Sequence, residues 1–213
     1  HGSRNPDAIS YGKELDLEAY RTSRWIAEPF RLFDCSREND GAGAILLVSS
    51  EMARDLKKKP VKLLSVAQGT QKGWGDLIEN DDMELYATAG FRAIRERLYN
   101  QAGLTPADID VVQLYENFSA QGVASLIDHG FCTYENVAEV LRFENLVAPS
   151  GKLPVNTSGG NLAHGFVHGF VTAVESIRCL RGESPNPVPN AKTSLLCGGP
   201  SSPTISSAIF GID

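Results

Sequence analysis

The apolar residues of this chain change their period again and again, and that alternation limits the fold more than any single motif does. Over 82–104, DMELYATAGFRAIRERLYNQAGL, the residues Leu85, Ala89, Phe91, Ile94 and Leu98 recur at spacings close to 3.6 and the stretch runs into Gly103. The pattern predicts an amphipathic helix with a glycine stop. TPADIDVVQLYENFS follows: Thr105 can cap, Pro106 suits a first helical position, and Asp108 completes a capping-box pattern before the apolar run DVVQLY at 110–115. That combination reads as a short turn leading into a buried strand. SAQGVASLIDHGF at 119–131 is helical again, and SGGNLAHGFVHGFVTAVESIRCLRG at 158–182 is a Gly-rich loop running into an amphipathic helix closed by Gly182. After the proline-rich GESPNPVPN (182–190), read as a surface loop, KTSLLCGGPSSPTISSAIFGI resembles two strands meeting at a Gly-Gly-Pro turn.

Upstream, 16–34 reads as a short helix with an extended exit after its proline. DGAGAILLVSS (40–50) is a Gly-led apolar run, expected to be an inner strand buried on both faces. SEMARDLKKK (50–59) supplies a Ser cap, a short helix and a basic end that suits the helix dipole, and PVKLLSVAQGT (60–70) reads as another strand. Strands alternating with helices specify an α/β layered architecture. The opening HGSRNPDAIS is a polar loop rather than a first strand or helix, and its HGS is equally compatible with a tag remnant.

Composition removes several function classes. Hydrophobic residues make up 42% of the chain and charged residues 22%, which suits a packed core. The formal net charge of −6 argues against a nucleic-acid partner, because phosphate binding needs a basic face. No run of about 18 apolar residues suggests a membrane span, and without a charged-then-apolar leader the expected compartment is the cytoplasm. Cys35, Cys132, Cys179 and Cys197 are far apart with no CxxC pair, so zinc ribbons and small disulfide frameworks are not expected and each reads as a buried small hydrophobe.

Three loops carry the polar chemistry. Tyr115, Glu116 and Asn117 come directly after a strand, at the position where α/β sheets present groups to ligands, although such a triplet also suits a Tyr tucked under a loop. NTSGGNLAHGFVHGF (156–170) packs four glycines, two histidines and two phenylalanines into fifteen positions. His164 and His168 are four apart, as in helical zinc sites, but no Glu separates them and glycines weaken the turn, so no metal is expected. Gly159–Gly160 matches neither GxGxxG nor GxxxxGK[ST], which leaves little for a phosphate-cradling reading. Gly198, Gly199 and Pro200 form the third loop. Shared composition and topological position point to one site.

AGLTPADIDVVQLYENFSAQG, NTSGGNLAHGFVHG and LLCGGP resemble, in order and spacing, the C-terminal half of the thiolase superfamily. The likeness is strongest to the sterol-carrier-protein-type thiolases and to the thiolase-like lipid-transfer aldolases of bacterial steroid side-chain degradation. It implies a layered α/β/α fold, mainly the C-terminal half of a duplicated unit. Residues 1–58 would end the N-terminal half and 59–213 would form the C-terminal domain. It also implies a whole chain nearly twice this length, with any nucleophilic cysteine upstream of residue 1.

Residue by residue, the resemblance puts Tyr115 where thiolases carry an Asn or His. It puts Phe166 where a thioester-binding His is usual, and Cys197 near an acid/base cysteine. The substrate-binding set it implies is Asn156, Gly159, Gly160, His164, Phe166, His168 and Gly198, with Tyr115, Glu116 and Cys197 catalytic. A Tyr of lowered pKa relaying a proton would suit retro-aldol cleavage of a β-hydroxyacyl-CoA, with Glu116 orienting it and no cofactor beyond the CoA thioester itself. The rival readings are a Claisen-type thiolase or acyltransferase and a non-catalytic CoA-ester or lipid-binding subunit. The family resemblance further implies a homodimer and an OB-fold/zinc-ribbon acyl-CoA-binding partner.

Overall fold

A computed structural model describes residues 1–70 and 88–212. Its strands form a two-stranded hairpin, β1 (Trp25–Ala27) with β2 (Phe30–Arg31), and a four-stranded sheet of β3 (Lys62–Gly69), β4 (Val111–Leu114), β5 (Thr193–Gly198) and β6 (Ile205–Gly211). The sheet order is β3-β6-β5-β4: β6 runs antiparallel to both its neighbours, and β4 runs parallel to β5. The helices are α1 (Leu17–Thr22), α2 (Ser50–Ala53), α3 (Arg92–Ala102), α4 (Ser119–Asp128), α5 (Val137–Val140), α6 (Phe143–Leu146), α7 (Gly160–Ala163) and α8 (Phe170–Leu180).

Strand alternation sorts the core into two unlike faces. On one face Val112, Leu114, Leu195, Ile205 and Ile209 meet Ile94 and Leu98 of α3 and Leu126 of α4 in one apolar cluster. Fully burying a side chain of this size contributes about 1.5–3 kcal/mol, so this face supplies most of the packing energy. The other face of β4 and β5 meets α8, whose buried stripe is mostly polar: Thr172, Glu175, Ser176 and Cys179, with Leu180. Those polar groups bond largely to one another and to the loops. The Thr157 and Ser184 hydroxyls both donate to Glu175 Oε1, and Gln113 Nε2 of β4 donates to Thr157 Oγ1 at 2.8 Å. Burial raises the pKa of Glu175 against the pull of these hydrogen bonds, which favour the carboxylate.

Helix α3 begins where the sequence pattern lacks a cap. Phe91 at its N-cap offers no side-chain acceptor. Asp128, at the end of α4, fills that place across space. Its Oδ2 accepts from the Thr88 hydroxyl at 2.6 Å and from the Ala89 and Phe91 N–H groups at 2.9 and 3.1 Å, and its Oδ1 accepts from Arg92 Nε at 2.9 Å. Gly103 closes the helix at φ 67, as its sequence position predicts. The upper part of the expected 82–104 helix, with Leu85, lies outside the described residues.

One expectation is overturned. Residues 41–49 form no strand, and Leu46 and Leu47 are 76% and 78% exposed. An inner strand needs neighbours to take its backbone hydrogen bonds, and no strand among the described residues pairs with this segment. Residues 182–190 form the expected loop, mostly exposed but anchored by the buried Ser184 and Asn186, whose Nδ2 donates to the Thr157 carbonyl at 2.7 Å. The first residues are built into the fold. His1 Nε2 accepts from the Ala148 N–H at 2.8 Å, and the buried Asn5 donates from Nδ2 to the Ser158 carbonyl at 2.8 Å. A dispensable tag would not make such contacts, so residues 1–5 count as part of this domain.

Candidate active site

Parallel pairing brings the C-terminal ends of β4 and β5 to the same edge of the sheet. Tyr115 leaves β4 with its N–H bonded to the Cys197 carbonyl of β5 at 3.0 Å, so the ladder holds until the residue that enters the site. The strand end is fixed from the other side by Asn156. Its Oδ1 accepts the Leu114 N–H at 2.6 Å while its Nδ2 donates to the Leu114 carbonyl at 3.2 Å, standing in for a neighbouring strand. Beyond this clasp opens a cleft of about 640 Å³ lined by Tyr115, Asn117, Gln121, His168, Gly169, Cys197, the 198–202 turn and the faces of β3 and β6 that α8 does not cover.

The loop 159–169 shapes one wall. Its two histidines do not share a helical face, because α7 ends at Ala163 and α8 begins at Phe170. Phe166 meets the Tyr115 ring edge-on at 6.0 Å between centroids, and His168 stacks on Phe166 at 4.8 Å. Gly169 has φ 76, and a Cβ there would lie 2.4 Å from the Tyr115 ring, so only glycine allows the tyrosine this position. Asn39 Oδ1 accepts the Phe166 N–H and ties the loop to residues from the first part of the chain.

Glu116 points the other way from Tyr115, beneath the loop. Its Oε1 accepts the Leu162 N–H at 3.3 Å, and a Cβ on Gly160 would collide with this carboxyl group. Burial pushes its pKa up to about 8 against the pull of these hydrogen bonds, and Oε2 has no partner. Glu116 therefore holds a proton near neutral pH. Because its folded-state pKa is raised from an ordinary 4.5, its contribution to stability is fully present below about pH 4.5 and is lost as the pH rises towards about 8. Glu116→Gln removes that titration: the melting temperature of the wild type should fall relative to the variant between about pH 5 and about pH 8. Parallel curves would refute the buried-acid assignment.

Tyr115 departs from the lowered pKa expected of it. Desolvation first, and the neighbouring Glu116 second, push its pKa up, so it enters the cleft as a neutral phenol. Cys197 is 1% exposed and its Sγ lies 3.7 and 3.8 Å from the ring nitrogens of His129. Burial drives that imidazole down to about 4, leaving it neutral with Nδ1 against the Ser125 carbonyl and Nε2 against the Ser207 hydroxyl. The Cys197 thiol is pushed well above its ordinary range by the same burial, so it stays protonated.

The structure thus brings Tyr115, His168, Cys197 and Gly198 together at the cleft, with Phe166 packed against Tyr115 and His168. Asn156, Gly160 and Glu116 lie beneath it as supports. Gly159 is the loop's left-handed N-cap to α7, and His164 sits behind the loop, its carbonyl accepting the Ile9 N–H at 3.0 Å and its pKa lowered by burial. Sequence reasoning missed Asn117 as a lining residue in its own right, and Gln121 altogether. The available signal was their position at the junction between the strand end at Tyr115 and the helix that follows it.

The thiolase C-terminal domain-like family model matches residues 76–210. The 17-hydroxy-3-oxo-4-pregnene-20-carboxyl-CoA lyase of Mycobacterium tuberculosis is 37% identical over 204 residues, which cover 96% of this chain and 53% of that protein. The steroid side-chain-cleaving aldolase of Thermomonospora curvata is 34% identical over 213 residues, covering 100% of this chain and 54% of that protein. The chain therefore spans about half the length of these curated relatives. Among solved structures, the Ltp2-ChsH2(DUF35) aldolase superposes with a TM-score of 0.94 at 34% identity, over 100% of this chain and 55% of that one. A monomeric SCP2-thiolase-like protein from Mycobacterium smegmatis shares the fold, with a TM-score of 0.68 at 20% identity.

Proposed function

The chain belongs to the thiolase C-terminal domain-like family, and from that premise we propose that it serves retro-aldol cleavage of a steroid β-hydroxyacyl-CoA, with Tyr115 carrying the proton. The observation that carries this reading is the place of Tyr115 at the end of β4, lining the cleft and set against Phe166. Phe166 offers no donor to a thioester oxygen, and the one cysteine at the cleft is a buried, protonated thiol. Both features count against acyl transfer. The relatives named as a carboxyl-CoA lyase and as a side-chain-cleaving aldolase support the aldol alternative.

Retro-aldol cleavage moves one proton and changes no oxidation state overall, so the residues at hand suffice. The β-hydroxyl gives its proton to the phenolic oxygen as the carbonyl forms, and the Cα–Cβ bond breaks with its electron pair delocalised onto the thioester. The phenol's own proton passes to Cα. A relay of this kind gives up one proton for each it gains and so passes through no free phenolate. Phe166 and Gly169 hold the ring, the Asn156 clasp fixes the backbone on which it stands, and Glu116 supports the loop without entering the cleft.

In a 17-hydroxypregnene-20-carboxyl-CoA the hydroxyl is β to the thioester, so the same step yields a 17-ketone and propionyl-CoA. We assign this substrate class to the whole protein. By analogy with the Ltp2-ChsH2(DUF35) structure, the protein would act with a DUF35-type partner that binds the acyl-CoA. Incubation of the protein and that partner with a 17-hydroxysteroid 20-carboxyl-CoA should release the two products in equal amounts, measured by chromatography. Release of free CoA or of a CoA-exchanged acyl product instead would favour the acyltransferase.

A further inference from the structure

We propose that Asn117 and Gln121 are the donors that hold the enolate oxygen of the departing acyl-CoA; this rests on the retro-aldol reading above. As Cα–Cβ breaks, negative charge gathers on the thioester oxygen, and donors placed there bind the transition state more tightly than the substrate. Phe166 cannot donate, and the Tyr115 hydroxyl is committed to the proton path. Several polar groups near the cleft are already in use. The Asn156 amide is spent on Leu114, the Ser202 hydroxyl on the Gly199 and Thr204 carbonyls, and the Ser207 hydroxyl on His129.

Asn117 and Gln121 differ from all of these. Both line the cleft beside Tyr115. Gln121 lies in the first turn of α4, its backbone N–H bonded to the Phe118 carbonyl, and Asn117 comes just before that helix's N-cap, so both side chains reach the cleft from the junction between β4 and α4. Their carbonyl oxygens, Asn117 Oδ1 and Gln121 Oε1, are shut off from solvent with no partner. Neither amide nitrogen makes a hydrogen bond among the described residues, and neither is a shut-off atom of the same kind. The NH₂ ends are thus unspent donors on the accessible side. Two amides that the fold does not use, next to the residue that moves the proton, make an oxyanion site for a reaction whose charge develops there.

The test compares two unreactive CoA thioethers on the full-length protein with its partner: an S-carboxyalkyl-CoA, whose carboxylate carries the charge of an enolate, and the neutral S-alkyl-CoA. The wild type should prefer the charged analogue by about 10-fold or more, and Asn117→Ala/Gln121→Ala should lose that preference. On a β-hydroxyacyl-CoA each single variant should lower kcat by about 100-fold, the scale of losing one oxyanion donor, with KM nearly unchanged. Gln121→Met keeps length and helix propensity if the double variant fails to fold. The assignment is overturned if the variants keep both the preference and kcat, if the wild type shows no preference, or if His168→Ala removes it instead. Failure of the retro-aldol reading looks different: the wild type would release no ketone from the β-hydroxyacyl-CoA, while the analogue preference would still decide the donor assignment.

Discussion

Tyr115→Phe should lower turnover of a β-hydroxyacyl-CoA by about 100- to 10,000-fold, the range spanned by loss of a positioned acid/base group, with the fold intact. The change removes one hydroxyl that faces the cleft and makes no hydrogen bond among the described residues. The ring that packs on Gly169 and meets Phe166 edge-on stays in place. Binding should therefore survive the loss of turnover: the S-carboxyalkyl-CoA thioether should bind the variant within about threefold of the wild type, because the Asn117 and Gln121 amides remain. A variant that releases ketone and acyl-CoA at the wild-type rate would remove Tyr115 from the mechanism. It would then favour the reading of this chain as a CoA-ester-binding subunit. A variant that loses turnover and binding together would mean that the hydroxyl orders the cleft rather than moving a proton.

The largest expected effect on stability comes from a residue far from the chemistry. Asp128→Ala should cost about 2–4 kcal/mol, because each buried donor left without a partner costs about 1–3 kcal/mol. One carboxylate serves the Thr88 hydroxyl, the Ala89 and Phe91 N–H groups and Arg92 Nε. Its loss leaves two buried backbone donors with nothing to replace them. Helix α3 would lose its only cap at the point where Phe91, Ile94 and Leu98 enter the core. Asp128→Asn keeps an acceptor of similar shape and should cost less than half as much. Urea denaturation of both variants measures the difference. Equal costs for Ala and Asn would show that the charge, rather than the cap, is what α3 requires.

The strands and helices were legible in the sequence wherever local pattern and tertiary packing agree. Gly103 stops α3 because a left-handed residue must follow its last turn, and Thr105 with Asp108 caps the next turn through their own side chains. The segment 40–50 was misread for a physical reason. An apolar run announces that it prefers burial, but a strand also needs a neighbour to take its hydrogen bonds, and neighbours are not written locally. The segment 158–182 reads as a Gly-rich loop running into a helix, and the structure agrees: the positive φ of Gly159, Gly160, His168 and Gly169 keeps the loop separate from α8, with only the short α7 inside it.

The candidate site divides along the same line. The sequence by itself determined that Tyr115 follows a buried strand, that glycines crowd the 156–170 loop, and that both belong to a thiolase-like chain, because strand-end position, glycine content and motif spacing are local properties. The tertiary structure decided which of these residues face the cleft. It turned Glu116 under the loop to become a buried acid, set Cys197 against His129 and raised rather than lowered the pKa of Tyr115. It also left the amides of Asn117 and Gln121 unused beside it. Each outcome depends on which side of a strand or turn another element covers, and desolvation and hydrogen-bond supply are set by that covering, not by the residue's own neighbours in sequence.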